Sequence, residues 1–167
     1  HESLPKDIEW HMIGHLQRNK VKYIASFVKL IHGVDSLRLL KEVQKQAEKN
    51  NRVQEVLLQM HIAKESTKFG LNETELTEVL NELPNFKNVK VIGLMGMATF
   101  TDDQDQVETE FAFLKSLFDK YATDYQFTTL SMGMSGDYKL AIKNGSNMVR
   151  VGSSIFGARN YGQPSTP

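Results

Sequence analysis

The sequence predicts an α/β fold on a parallel sheet, laid out as six of the eight βα units of a TIM (β/α)8 barrel. Three observations predict it. Short apolar runs alternate with amphipathic ones along the chain. The central runs, "VLLQMHI" and "VIGLMGMA", are almost wholly apolar, as strands covered on both faces are. The last two runs each open into a corner of glycine and serine, "SMGMSG" and "RVGSSIFG".

Taken in order, "EWHMIG" (9–14) reads as a strand and "RNKVKYIASF" (18–27) as a short helix. "LIHGV" (30–34) is a strand and "DSLRLLKEVQKQAEKN" (35–50) a helix, with Leu37, Leu40, Val43 and Ala47 recurring on one face. "VQEVLLQMHI" (53–62) and "VKVIGLMGMA" (89–98) are strands; "NETELTEVLNEL" (72–83) and "DQVETEFAFLKSLFDKYA" (105–122) are helices. "FTTLSM" (127–132), "GDYKLAIKNG" (136–145) and "NMVRVG" (147–152) complete the series as strand, helix, strand. Asp35, Asn72 and Asp102 stand where N-caps belong, and Gly145 just past a helix end.

Composition narrows the function. The 167 residues suffice for one domain with a core. Twenty basic residues balance twenty acidic ones, which argues against a general nucleic-acid binder. There are no cysteines, so neither disulfides nor thiolate metal sites are possible, in keeping with a reducing compartment. No apolar run approaches the roughly 18 residues of a membrane span, and no signal-peptide pattern opens the chain. The first residue is His1, so further sequence is expected before it.

Six units suit either an open doubly wound sheet or three quarters of a barrel, and the count alone favours the open sheet. The two corners favour the barrel. Loops after the last two barrel strands often bind phosphate. Glycines let backbone amides approach an anion, and serine hydroxyls add donors. Ordinary small-residue loops would read the same way. Arg150 lies within the last strand, on the same side as Gly152 by alternation, and a buried arginine there needs an acceptor.

The segments "IEWHMIGHLQRNKVK" (8–22), "LLQMHIAKESTKFG" (57–70), "GLMGMAT" (93–99) and "LSMGMSGDYKLAIKNGSNMVRVGSSIFGAR" (130–159) resemble the YggS/PROSC family of pyridoxal phosphate homeostasis proteins. The resemblance runs to about Tyr161. It implies a single barrel of alanine racemase type (PLP fold type III), with residues 1–161 as its C-terminal three quarters and 162–167 as a polar tail. It implies a cytoplasmic carrier or buffer of pyridoxal 5′-phosphate (PLP) without turnover, with PLP-dependent apoenzymes as candidate recipients. The alternative is a PLP-dependent amino-acid racemase. The family's PLP lysine on its first strand, and the "GEN" segment after its second, have no counterpart here. The missing N-terminal segment is therefore an expected partner, and the 167 residues are not expected to fold alone.

By the same resemblance, Ser131 and the amides around Gly152 and Ser153 bind the PLP phosphate, and Arg150 faces the pyridine nitrogen. An arginine offers only donors, so the ring nitrogen would stay unprotonated and the ring would be a weak electron sink. His15 at a strand end and His61 are candidates to line the pocket. Met132, with Met95, Met97 and Met134, is core or pocket wall. Lys64 is the best-placed substitute lysine, though solvent exposure is the simpler reading; Lys90 lies at the wrong end of its strand. Tyr161 reads as a surface or packing residue. No metal site is expected, because His11 and His15 lack a third ligand.

Overall fold

The computed structural model describes residues 1–65 and 69–157. The end of the expected domain at Tyr161, the tail 162–167 and part of the "KEST" loop lie outside them. Six strands form one parallel sheet: β1 (His11–Met12), β2 (Leu30–Val34), β3 (Gln54–Met60), β4 (Val89–Gly96), β5 (Thr129–Met134) and β6 (Met148–Arg150). Their spatial order is their chain order. That order decides between the two candidate folds. A doubly wound sheet reverses direction from its middle strand. A sheet that adds each strand beside the last, through right-handed crossovers, keeps all its helices on one face and curls into a barrel arc.

The helices are α1 (Val21–Ile24), α2 (Leu37–Lys49), α3 (Glu73–Glu82), α4 (Gln104–Tyr125), α5 (Tyr138–Lys143) and α6 (Ser153–Phe156). Asn72 opens α3 with a reciprocal capping box: Oδ1 accepts from Glu75 N–H, and Glu75 Oε2 accepts from Asn72 N–H, both at 2.9 Å. Two expected caps shift by one residue. Ser36, not Asp35, caps α2 by accepting from Leu39 N–H, and Asp103, not Asp102, caps α4 by accepting from Gln106 N–H. The expected first helix begins as a 3-10 turn, Arg18–Lys20. Gly145 follows the last turn of α5 at φ +90°, a conformation glycine adopts freely.

Two cores result, one on each face of the sheet. The larger lies between sheet and helices, where Ile31, Val56, Leu58 and Leu94 meet Leu40 and Phe111. The smaller lies on the concave face and contains Leu30, Leu57 and Met95, with Met148 against them. Strands β2 to β4 therefore carry apolar side chains both ways, which is why their sequences show no alternation. Burying each such side chain contributes about 1.5–3 kcal/mol.

At the carboxyl ends of the strands, Glu110 of α4 ties two loops together. Its carboxylate accepts from Thr99 N–H (2.6 Å), Thr99 Oγ–H (2.7 Å), Gln106 Nε2–H (3.1 Å) and Lys64 N–H (3.3 Å). Burial alone would raise its pKa; the hydrogen bonds from Thr99, Gln106 and Lys64 outweigh this and hold it below the usual carboxylate value. Lys64 thus enters through its backbone, while the residue itself is exposed.

The β4–β5 pairing depends on Gly93, which lies opposite Thr129. Any Cβ there would overlap the Thr129 carbonyl oxygen. Gly93→Ala is expected to lower unfolding stability by at least about 2 kcal/mol in urea denaturation; an unchanged midpoint would refute this account of the pairing.

Candidate functional site

The concave face becomes polar toward the β5–β6 side. Arg150 extends inward from β6. Its Nη1 donates to Ser131 O (2.9 Å) and Ser131 Oγ (2.7 Å), and its Nη2 donates to Gly96 O (2.8 Å). Three of the guanidinium's five N–H donors are thus used within the protein, and two remain. Burial lowers the Arg150 pKa to about 10, with Asp137 opposing, so it stays cationic at neutral pH.

The chain of bonds continues from Ser131. Its Oγ lies 3.2 Å from His32 Nδ1, and His32 Nε2 lies 3.1 Å from His11 Nδ1. Arg150 can only donate, so it takes one lone pair of the Ser131 hydroxyl and leaves the proton and a second lone pair for His32 Nδ1. A neutral His32 donates from one ring nitrogen and accepts at the other, and so links Ser131 to His11 in either tautomer. Burial first, then Arg150, then His11, push the His32 pKa down from 6.5 to about 3. His32 is therefore neutral here.

At the ends of β5 and β6 the two small-residue corners touch. Ser135 Oγ accepts from Gly152 N–H (3.1 Å) and Ser154 N–H (3.3 Å), while Ser154 Oγ–H donates to Ser135 O (3.4 Å). Two backbone amides converge on one oxygen, which is the donor arrangement an anion's oxygen requires. The turn below is fixed by Asp137, whose Oδ1 accepts from Met134 N–H at 2.6 Å. Nothing stands within 4 Å of where a Cβ would lie at Gly136 or Gly152, so the backbone is open to a close approach.

The predicted residues separate into groups. Ser131 and Arg150 meet on the concave face. Gly152 and Ser153 are exposed at the β6 corner. Ser131 is not beside them: it pairs in register with Met148, four residues before Gly152, and its hydroxyl is engaged by Arg150 and His32. The serine at the corner is Ser135. Met132 turns away altogether, because neighbours along a strand face opposite ways, and it is fully buried in the helix-side core. His15 stands at the far edge of the strand order, after β1. Its Nδ1 is 3.3 Å from Asp35 Oδ2, and its ring stacks on Phe69 with centroids 4.0 Å apart. His11 and His15 diverge to different partners, and no group of three metal-ligating side chains occurs among the described residues. His61 bonds the Glu65 carbonyl through Nε2 at 3.0 Å.

Sequence reasoning passed over His32 and gave Ser135 no role. Both leave a trace: His32 is the one polar residue within "LIHGV", and Ser135 directly follows the last residue of β5.

The sheet order is that of a barrel arc, and residues 4–160 match the family "Alanine racemase, N-terminal domain". Within that class the chain belongs to the pyridoxal phosphate homeostasis protein family. It is 42% identical over 157 residues to the pyridoxal phosphate homeostasis protein of Aquifex aeolicus, covering 93% of this chain and 69% of that protein. It is 39% identical to the Helicobacter pylori protein of the same name, over 93% and 68% of the two chains. Among solved structures, PipY of Synechococcus elongatus PCC7942 with PLP bound is similar at a TM-score of 0.83 and 30% identity, over 93% of this chain and 73% of that one. Alanine racemase of Clostridium difficile 630 shares the fold at a TM-score of 0.70 and 13% identity, over 92% and 40%.

The His32 depression predicts an acid limb of stability. Between pH 6.5 and about 3 the unfolded state binds the proton that folded His32 refuses, so stability falls as pH falls through that window. The full effect is on the order of 5 kcal/mol. Above pH 5 the Glu110 carboxylate adds nothing to this slope. Urea midpoints at pH 7 and pH 5 should therefore differ more in the parent than in His32→Gln; equal differences would reject the assignment.

Proposed function

We propose that this chain is a PLP-binding part of a homeostasis protein that holds and releases the cofactor without turning over a substrate. The observation that carries the reading is the convergence of the Gly152 and Ser154 amides on the Ser135 hydroxyl. That hydroxyl oxygen stands in for a phosphate oxygen, and the residues around it fit the group: bare glycines, hydroxyls and amides, while the Asp137 carboxylate of the same turn is engaged by Met134 N–H. Ser153, exposed at the start of α6, adds a third amide and hydroxyl. Arg150, two donors unspent, would meet the ring nitrogen, with Ser131, Gly96 O and His32 holding the guanidinium in place. Ser131 would serve the ring end of the site rather than the phosphate.

Bound PLP supplies an aldehyde that amines capture and a ring that withdraws electrons. A guanidinium beside the ring nitrogen gives it no proton in exchange, which weakens the ring as an electron sink. That suits storage better than carbanion chemistry, and the names of the relatives support it. Two further βα units would close the arc between β1 and β6 into an eight-unit barrel. By family resemblance, one of them would carry the lysine that holds PLP covalently. The chain spans 69% of the Aquifex aeolicus relative, which leaves length for them.

Titrating the chain with PLP, followed by cofactor absorbance, tests the phosphate corner. Gly152→Val, which places a side chain over the corner, should weaken binding about tenfold or more, roughly 1.4 kcal/mol. Inorganic phosphate should compete, and pyridoxal lacking the phosphate should bind at least about tenfold more weakly. Equal affinity for PLP and pyridoxal would refute the proposal.

A further inference from the structure

We infer that the groove between the 3-10 turn Arg18–Lys20 and helix α2 docks an acidic segment of a protein partner beside the mouth of the barrel. Arg18, Arg38, Lys41 and Lys45 line it together, with Leu37 and Glu42. The three α2 cations are spaced three and four residues apart, which places them in one stripe about 10 Å long. All four cations are exposed. None of the four side chains makes an ion pair or hydrogen bond with another described residue. Elsewhere Lys29, Lys115, Lys120 and Lys143 each sit against a carboxylate. The one acid in the groove, Glu42, is already bonded by Gln46 Nε2 at 2.7 Å. A chain of zero net charge thus keeps a local excess of three positive charges without internal neutralisation.

The chemistry selects the partner. Carboxylates spaced along a peptide complement a stripe of this length. A nucleic acid would need a longer basic track and open aromatic faces. No aromatic lines the groove, and Tyr23 of the neighbouring helix α1 already carries Lys20 and Lys22 over its ring at 5.7 and 4.9 Å. The groove starts at the carboxyl ends of β1 and β2, the end of the sheet that holds the phosphate corner. A partner seated there would be placed to receive the cofactor, a purpose that rests on the PLP reading; the docking itself does not.

The test uses a fluorescein-labelled octaglutamate peptide, with a twelve-residue oligouridylate and phosphatidylglycerol vesicles as competing probes. Arg38→Glu/Lys41→Glu/Lys45→Glu should weaken peptide binding at least about tenfold. Lys49→Glu/Lys87→Glu/Lys90→Glu carries the same charge change at the other end of the strands and should alter it less than about twofold. Thermal melts check folding, and the milder Arg38→Gln/Lys41→Gln/Lys45→Gln should show a smaller loss in the same direction. Equal losses in both glutamate variants, no peptide binding, or tighter groove-dependent binding of the oligonucleotide or vesicles would overturn the inference. PLP titration of the groove variant should match the parent, which separates a failed docking site from a failed cofactor site.

Discussion

The concave face of this molecule is organised around one half-buried cation. Arg150 comes from β6, a three-residue strand with a neighbour on one side only. A guanidinium drawn inside a sheet must find acceptors or not go there. It finds the carbonyls of Ser131 and Gly96, and so clasps β6 to both β5 and β4. Charge-assisted bonds of this kind are stronger than the ladder bonds beside them. The same guanidinium helps to keep His32 neutral, and the Ser131 hydroxyl joins it to the two histidines.

That arrangement separates two jobs within one site. The interior network sets an electrostatic environment and holds the guanidinium with two of its five donors unspent. The corners of β5 and β6 leave backbone donors at the surface, covered only by a neighbouring hydroxyl. Under the proposed function the first would be the ring end of the site and the second its phosphate end.

Much of the architecture was legible in the residues. Strands β2, β3 and β4 showed as apolar runs because both faces are covered. The β1 segment shrank from six expected residues to two, since an edge strand keeps only the pairs that one neighbour supports. Asp35 looked like a cap, but Ser36 is the better-placed acceptor, and Asp35 goes to His15 instead. Depth was the harder quantity. Ser131 and Ser135 belong to one short motif, and only the register with β6 shows that one lies inside and the other at the rim. Met132 illustrates the reverse case: alternation from Ser131 already assigned it to the opposite face. His32 has no local motif, because its role comes from a residue 118 positions away in the chain.

The Glu110 knot has a mechanical consequence. It fastens the loops after β3 and β4 to α4, making that flank of the rim a fixed jaw. Between the β4 and β5 corners, Thr101 and Asp102 face Asp137 and Tyr138 across an open trough that reaches Ser135 and Ser154. An incoming molecule therefore meets one stationary wall and one wall of short, glycine-bearing turns. The two walls are thus tied differently, the first through one carboxylate shared by two loops and the second through contacts local to its own turns.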